Sequence, residues 1–293
     1  MTLPLTLILD PLPADATDVA GSFREVDASA PALRVGELST QRGDGIFETI
    51  AIVDGHAQER EPHLARLARS AEICDLPAPN PVQWRAAIDY ATANVPQEGE
   101  LAMKIVLSRG VEHGPAPTAW LTVTAAADFT VVRGNGIRVI TLDRGYDSGA
   151  AERAPWLLLG AKTLSYAVNM AALREAKRRG ADDTIFLTSD GYVMEGPTSS
   201  VIARIDGVFT TPRPSGSILA GTTQASLFEY IRTHEYPVAE RDVTGEELRT
   251  ADAIWLVSSV RLAAPVIELD GMPLAIDREP TDAFTRYLLS PRD

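Results

Sequence analysis

The chain has 293 residues, and 45% of them are hydrophobic, so the composition predicts ordinary globular cores rather than disorder. A chain of this length favours two domains over one. The formal net charge of −13 argues against nucleic acid or an anionic membrane surface as a partner. Cys74 is the only cysteine, which excludes an intramolecular disulfide and a cysteine metal cluster. The four histidines are scattered along the chain, so we expect no metal site.

The N-terminus carries no targeting signal that we recognise. Its first residues, MTLPLTLILD, lack a basic region and form too short an apolar run for a signal peptide. No apolar run approaches the roughly 20 residues that a membrane-spanning helix needs. We therefore expect a soluble, cytoplasmic protein with a small-molecule substrate.

The first half of the chain predicts a small domain that mixes helices and strands. Residues 11–36 show no clear period and are predicted to be irregular. Residues 46–53 alternate like a strand and end at the hairpin signal Asp54-Gly55. A helix is predicted to start at Glu61-Pro62, with one apolar face formed by Leu64, Leu67, Ala68, Ala71 and Cys74. The remaining elements are a helix over 81–95 and strands over 101–108 and 119–125.

The segment 128–135 has little apolar pattern, and we interpret it as a crossing between domains 1–130 and 131–293. The second domain predicts a helix over 164–179, stopped by Gly180, whose inward residues are Ala167, Val168, Ala171 and Ala172. Further helices are predicted over 223–233 and after the capping box at 244–247. Strands are predicted over 136–142, 184–188, 192–194, 201–205, 208–211, 253–257 and 265–269. Hairpins instead of repeated βαβ units indicate an α+β fold.

One lysine, Lys162, interrupts the otherwise uncharged and largely apolar stretch PWLLLGAKTLSYAVN. An unpaired buried charge is costly, so a lysine in such a setting tends to lose its proton and become a nucleophile. The alternative is a lysine that reaches solvent from the end of a strand. Three features favour the functional interpretation: Glu195 near a predicted hairpin, Gly221-Thr222-Thr223 at a predicted helix start, and Arg66 on the first long helix. Taken singly, these are a solvated acid, a helix cap and a surface charge.

Together and in this order, the motifs resemble the fold-type IV pyridoxal-phosphate enzymes, also called class IV aminotransferases. The resemblance runs from residues 43–48 (GDGIFE) to Asp270-Gly271. It implies an α+β fold with a smaller N-terminal α/β domain and a larger C-terminal domain built on a mixed or antiparallel β core. It also implies a homodimer that binds pyridoxal 5'-phosphate (PLP) between the two domains.

The resemblance gives each motif residue a role. Lys162 corresponds to the lysine that forms a Schiff base with PLP and later moves protons at the substrate carbon. Glu195 corresponds to the acid that keeps the pyridine nitrogen protonated, because an opposite charge favours the charged form. A helix N-terminus and an arginine suit the phosphate. The implied cofactor residues besides Lys162 and Glu195 are Arg66, Ser199, Ser200, Gly221, Thr222, Thr223 and Ser259.

These motifs are less specific for the reaction than for the family. They are most similar to actinobacterial 4-amino-4-deoxychorismate lyases, which implies elimination of pyruvate to give 4-aminobenzoate for folate biosynthesis. Phe47 replaces a tyrosine of D-amino-acid aminotransferases, and the loop after 101–108 lacks their Arg-x-His motif. A D-amino-acid or branched-chain aminotransferase, with or without lyase activity, stays open, as does a binding module without a cofactor. The predicted substrate-binding residues are Phe47, Arg109 and Arg261, with Lys104 and His113 as other cations for a carboxylate.

Overall fold

The computed structural model describes residues 3–214 and 216–293; Met1 and Thr2, at the start of the predicted first domain, lie outside them. The chain divides into two compact units. The first unit comprises residues 1–127, 161–166 and 291–293, and the second comprises 128–160 and 167–290. The segment that carries Lys162 therefore belongs to the first unit, although it lies well inside the second half of the chain.

The first unit is built on an antiparallel sheet of six strands. The strand order is β2-β1-β6-β5-β3-β4. In chain order the elements are β1 (Leu5–Leu9), β2 (Phe23–Val26), α1 (Leu38–Gln41), β3 (Gly45–Val53), β4 (His56–Ala57), α2 (Arg60–Ile73), α3 (Pro81–Ala93), β5 (Glu100–Ser108) and β6 (Thr118–Ala125).

The two faces of this sheet make different contacts. Side chains alternate along a strand, so Ile46, Ile50 and Ile52 of β3 share one face. They belong to the apolar core that also contains residues of α2 and α3. Phe47 and Thr49 point to the opposite face. Their partners on β5, Val106 and Lys104, lie on that same face, because paired residues of neighbouring strands point to one side of the sheet.

Helix α2 shows where the predicted apolar face needs correction. Its buried residues include Leu64 and Leu67 as predicted, but Ala68 is exposed. The row that faces inward also contains two polar residues, His63 and Ser70. Both have partners inside the unit, as described below, so a purely apolar criterion misplaces this face.

The second unit contains a mixed sheet of eight strands in the order β11-β10-β9-β12-β13-β7-β8, with β14 paired to β13. The pairs β10–β11, β13–β7 and β7–β8 are parallel and the others antiparallel. A short 3-10 turn covers Pro155–Leu157. The elements are α4 (Thr130–Asn135), β7 (Ile137–Asp143), α5 (Ala150–Arg153), α6 (Ala167–Arg178), β8 (Asp183–Leu187), β9 (Ser200–Ile205), β10 (Val208–Pro212), α7 (Thr222–Thr233), β11 (Val238–Arg241), α8 (Gly245–Arg249), β12 (Ala253–Ser258), β13 (Leu262–Leu269), β14 (Met272–Pro273) and α9 (Arg278–Leu289).

Several local predictions for the second unit are wrong. Helix α6 starts at Ala167, because residues 161–166 are extended against β3. Its buried residues are Ala172 and Ala176, whereas Val168 is 54% exposed. The segment 192–194 forms only isolated bridges instead of a strand. The segment 128–135 contains the helix α4, and its interpretation as a crossing between domains stays a prediction.

The capping box predicted at 244–247 is present, with reciprocal hydrogen bonds between Thr244 and Glu247. Within residues 3–214 and 216–293, no helix combines the length and the apolar character that crossing a bilayer requires.

Candidate active site

Lys162 lies on a short extended segment that adds to the edge of β3. The Phe47 N–H donates to the Lys162 carbonyl at 2.9 Å, and the Leu164 N–H donates to the Gly45 carbonyl at 2.8 Å. From the other side, the Lys162 N–H donates to Ser70 Oγ of α2 at 3.1 Å. The Lys162 backbone is therefore held by both a strand and a helix.

The two glycines of the GDGIFE motif allow this close approach. A Cβ atom on Gly45 would lie 2.9 Å from the Leu107 carbonyl oxygen and 2.9 Å from a Leu164 methyl group. Gly43 has a left-handed φ of +68°, and a Cβ there would lie 3.1 Å from the Ser165 Cα. Larger residues at either position would push the segment of Lys162 away from β3.

The Lys162 amine lies beside an aromatic ring. Lys162 Nζ is 4.7 Å from the ring centroid of Phe47, and Lys104 Nζ is also 4.7 Å from it. The ring of Tyr166 meets Phe47 edge to face at a centroid distance of 5.3 Å. Lys104 is open to solvent yet surrounded by protein atoms, and this partial burial lowers the pKa of its amine. Phe47 and Lys162, both predicted site residues, are thus brought together.

Arg66 takes part in a buried ionic cluster with Glu48 and His63. Its Nε and Nη2 donate to the two carboxylate oxygens of Glu48 at 2.7 Å each, and His63 Nδ1 lies 2.8 Å from Glu48 Oε2. The side chains of Arg66, Glu48 and His63 are 9%, 0% and 1% exposed. This bidentate geometry fixes the plane of the Arg66 guanidinium group.

Burial and neighbouring charged groups shift the pKa values of this cluster in opposite directions. Burial alone would raise the pKa of Glu48, but Arg66 and His63 outweigh it and hold that pKa far below its usual range. Burial lowers the pKa of His63 against the opposing effect of Glu48, and its Nδ1 donates to Glu48 because a carboxylate can only accept. Glu48 and His63 were not among the predicted site residues. A signal was present, because Glu48 is the only charged residue of β3 and lies at an inward position of that strand.

Arg109 is committed to atoms of its own unit. Its three guanidinium nitrogens donate to Asp44 Oδ2 at 2.7 Å, to the Cys74 carbonyl at 2.7 Å and to the Asp75 carbonyl at 3.0 Å. These contacts tie the end of α2 to the GDGIFE motif and favour a structural role. Substrate binding by Arg109 stays a prediction.

In the second unit, Glu195 lies on an extended segment beside β8. The Phe186 N–H donates to the Glu195 carbonyl at 2.9 Å, and the Met194 N–H donates to the Phe186 carbonyl at 2.9 Å. Burial raises the pKa of the Tyr146 phenol, and the charge of Glu195 raises it further against the opposing effect of Arg144. Tyr146 and Arg144 thus belong to the surroundings of Glu195, although the sequence motifs did not indicate them.

The loop after Glu195 contains a buried hydroxyl group without a partner. The Gly196 N–H donates to the Ser199 carbonyl at 2.8 Å, which closes a tight turn. Ser199 is buried, and its Oγ has no hydrogen-bond partner among the described residues. An orphaned buried hydroxyl group in a folded protein calls for an explanation such as a bound ligand or water.

The start of α7 forms an anion cradle with a neighbouring hairpin. Gly221, the N-cap residue of this helix, has no side chain with which to cap it, and the first helical residues, Thr222 and Thr223, are buried. Thr223 Oγ1 lies 3.4 Å from Ser259 Oγ, and a Cβ atom on Gly221 would lie 2.2 Å from Ser200 Oγ. N–H groups at a helix start and these hydroxyl groups are the donors that a phosphate prefers. The structure therefore brings these predicted phosphate residues of the second unit together.

Arg261 combines one ion pair with two open donors. Its Nη1 lies 2.6 Å from Oδ2 of the buried Asp183. Its Nε and Nη2 are buried and have no hydrogen-bond partner among the described residues. A buried guanidinium group with open donors suits a carboxylate ligand.

Comparisons with known proteins identify the family of the chain. Residues 45–269 match the family model described as amino-transferase class IV. The chain is 45% identical over 256 residues to the bifunctional aminodeoxychorismate lyase / D-amino acid transaminase of Mycobacterium tuberculosis, covering 83% of this chain and 88% of that protein. The chain therefore belongs to the class IV aminotransferase family, and the resemblance inferred from its motifs is confirmed.

Solved structures give the same result for the fold. A fold IV-transaminase from Curtobacterium pusillum has a TM-score of 0.94 and 48% identity, covering 98% of this chain and 99% of that chain. The PLP-bound form of an aminotransferase from Mycobacterium tuberculosis has a TM-score of 0.88 and 40% identity, covering 97% of both chains. The predicted α+β fold of type IV is thereby confirmed.

Proposed function

We propose that this protein is a PLP-dependent 4-amino-4-deoxychorismate lyase that also acts as a D-amino-acid transaminase. The observation that carries the proposal is the 45% identity, over 83% of this chain, to a protein with both activities. In the lyase reaction, the substrate loses pyruvate and becomes 4-aminobenzoate, which places the enzyme in folate synthesis.

The residues present fit PLP. Lys162 offers an amine on a rigid segment, Glu195 offers a carboxylate, and the start of α7 offers an anion cradle. The orphaned Ser199 hydroxyl group is a further donor in the second unit. When bound, PLP supplies an electron sink that stabilises the carbanion left when the substrate loses a proton.

Each of these residues then has a defined task. By the family resemblance, Arg66, Thr223 and Ser259 would hold the phosphate, and Glu195 would keep the pyridine nitrogen protonated. Lys162 Nζ removes the proton from the amine-bearing carbon of the substrate. The bond from the Phe47 N–H to the Lys162 carbonyl and the bond from the Lys162 N–H to Ser70 Oγ hold the backbone that carries this amine.

The two activities share this first proton transfer and differ afterwards. In the lyase reaction, the bond from the ring to the enolpyruvyl oxygen breaks, and that oxygen keeps the electron pair. The product ring becomes aromatic, which drives the elimination forward. In transamination, Lys162 Nζ would deliver its proton to a carbon of the cofactor, and water would then release the keto acid while the amino group stays on the cofactor. One set of residues therefore supports both reactions.

The substrate carries carboxylates, and two cations suit them. Lys104 forms no hydrogen bond or ion pair with any described residue, and its amine is as close to the Phe47 ring as Lys162 Nζ is. Arg261 has two open donors. We assign carboxylate binding to Lys104 and Arg261 and substrate contact to Phe47, whereas Arg109 is better explained by its structural contacts.

The direct test supplies the purified, PLP-loaded protein with enzymatically generated 4-amino-4-deoxychorismate. Fluorescence would follow 4-aminobenzoate, and a coupled lactate dehydrogenase assay would follow pyruvate. Equal amounts of both products support the lyase, and the Lys162→Ala variant serves as the inactive control. Turnover of D-alanine with 2-oxoglutarate, without any 4-aminobenzoate, would leave only the transaminase. L-Leucine as the preferred donor would point to a branched-chain aminotransferase.

Three coarser features are part of the same proposal: a homodimer, a cytoplasmic location and a functional domain boundary near residue 130. Large apolar side chains of the second unit support an association surface, because Trp156, Val168 and Met170 are 75%, 54% and 44% exposed. Light scattering after gel filtration tests the dimer. Cell fractionation tests the location, and limited proteolysis tests the boundary.

A further inference from the structure

Arg133, on the short helix α4, holds the hairpin turn that carries Ser259. Its Nε donates to the Arg261 carbonyl at 3.0 Å, and its Nη2 donates to the Val260 carbonyl at 2.9 Å. Arg133 is only 6% exposed, so these bonds form where water does not compete. One guanidinium group thus spans two consecutive carbonyls of the turn between β12 and β13.

Helix α4, which carries Arg133, is tightly packed where it meets β13. Helix α4 ends at Gly136, which has a left-handed φ of +79°. A Cβ atom there would lie 2.7 Å from the Pro265 carbonyl oxygen and 2.5 Å from an Ile267 methyl group. The helix therefore lies directly against β13, and the Arg133 side chain has little freedom to move away from the turn.

The turn needs such an anchor. Leu262, the first residue of β13 after the turn, is buried and has a left-handed φ of +65°, which is an unfavourable conformation for leucine. A peptide N–H points away from the carbonyl of the same peptide group. Arg133 on the Val260 carbonyl therefore directs the Arg261 N–H to the opposite side. The turn is also held by the ion pair from Arg261 to Asp183.

The far side of this turn belongs to the anion cradle. Ser259 Oγ lies 3.4 Å from Thr223 Oγ1 in the first turn of α7. We propose that Arg133 is a positioning residue for phosphate binding: through its two bonds to the turn it orients Ser259 against the start of α7. This inference rests on the proposed PLP site but not on which reaction the enzyme catalyses.

The test measures binding of PLP and of inorganic phosphate to the full-length apoprotein, by absorbance and by the thermal shift. Arg133→Met should weaken both by about tenfold, the lower end of what outer hydrogen-bond partners contribute to bound groups. Arg133→Lys keeps the charge but cannot span both carbonyls, so we expect it to stay about threefold weaker than the wild type. Arg278→Met is the matched control, because Arg278 contacts the Gly134 carbonyl of α4 and not the turn.

A double-mutant cycle separates positioning from general destabilisation. If Arg133 acts through the turn, Arg133→Met combined with Ser259→Ala should bind PLP no more weakly than the weaker single variant. The proposal is overturned if the losses of PLP affinity in the two single variants multiply in the double variant. It is also overturned if Arg133→Met or Arg133→Lys binds PLP as tightly as the wild type. If Arg133→Met does not fold, the Arg133→Lys result decides alone. A wild-type apoprotein that binds neither PLP nor phosphate would refute the proposed cofactor instead.

Discussion

Replacing Glu48 with glutamine tests the buried cluster around Arg66. The carboxylate accepts three hydrogen bonds, two from Arg66 and one from His63, and its side chain is 0% exposed. Glutamine keeps the shape, but its amide nitrogen must face a donor, and the negative charge is lost. Arg66 then remains as a buried cation without its anionic partner.

The expected loss of stability is large. Breaking a buried ion pair by removing one partner costs about 3–5 kcal/mol. Glutamine can preserve the two bonds at Oε2 if its oxygen occupies that position, so we expect about 3 kcal/mol for Glu48→Gln, with Glu48→Ala near 5 kcal/mol. The lost bond is then the one from Arg66 Nε to Oε1.

The chain offers a matched control on its surface. Arg85 donates to Glu61 through Nε and Nη2 at 2.8 and 2.7 Å, the same bidentate geometry as in the buried pair. Both side chains of this pair are more than two-fifths exposed. Water screens such a pair, so Glu61→Gln should cost less than about 1 kcal/mol.

Urea unfolding followed by circular dichroism and tryptophan fluorescence measures both variants. Trp84 lies in the same core as α2 and reports on the first unit. Inorganic phosphate should raise the melting temperature of Glu48→Gln more than that of the wild type, because it supplies the missing negative charge to Arg66. The reasoning is refuted if Glu48→Gln costs no more than Glu61→Gln, or if phosphate stabilises it no better than the wild type.

Three other outcomes are expected. After treatment with PLP and borohydride and then denaturation, the wild type should retain covalently attached cofactor and Lys162→Ala should not; the variant should also lack both activities, and normal turnover would contradict the role of Lys162. Lys104→Met should raise the KM of the lyase substrate by about tenfold or more, with unchanged PLP affinity; an unchanged KM would remove Lys104 from the substrate site. Folding lowers the pKa values of His63 and Glu48, so the stability that they contribute is present at neutral pH and is lost as the pH falls, first below 6.5 and then below 4.5. Urea midpoints at pH 7.5, 5.5 and 4.0 check this, and a midpoint that rises toward acid would contradict it.

Local patterns predicted most of the strands that form the two sheets. The strands at 46–53, 101–108 and 119–125 are confirmed to within a residue or so at each end. Alternation and Asp-Gly turns act over a few residues, so they are visible in the chain itself. By contrast, β1 pairs with β6, which follows it in the sequence only after all the other elements of the first sheet. Such pairing depends on distant residues and leaves little local trace.

The segment 161–166 shows the same limit at the site. Its apolar residues continue into α6, so the pattern predicts one helix from residue 164. The structure instead pairs Leu164 with Gly45, and the helix begins only at Ala167. Backbone bonds to β3 and α2 outweigh the local helical preference, because the sheet edge offers partners that a single helical turn would not.

The motif GDGIFE leads into strand β3, and its residues place functional groups on both faces of the sheet. Gly45 and Phe47 point to the side of Lys162, where the glycine leaves room for the segment and the phenyl ring lies beside the amine. Glu48, on the other side, holds Arg66. Because side chains alternate, a shift of β3 by one residue would bury Phe47 in the core and remove the partner of Arg66 at once. The register of one strand therefore couples the placement of the predicted catalytic lysine to that of the predicted phosphate arginine.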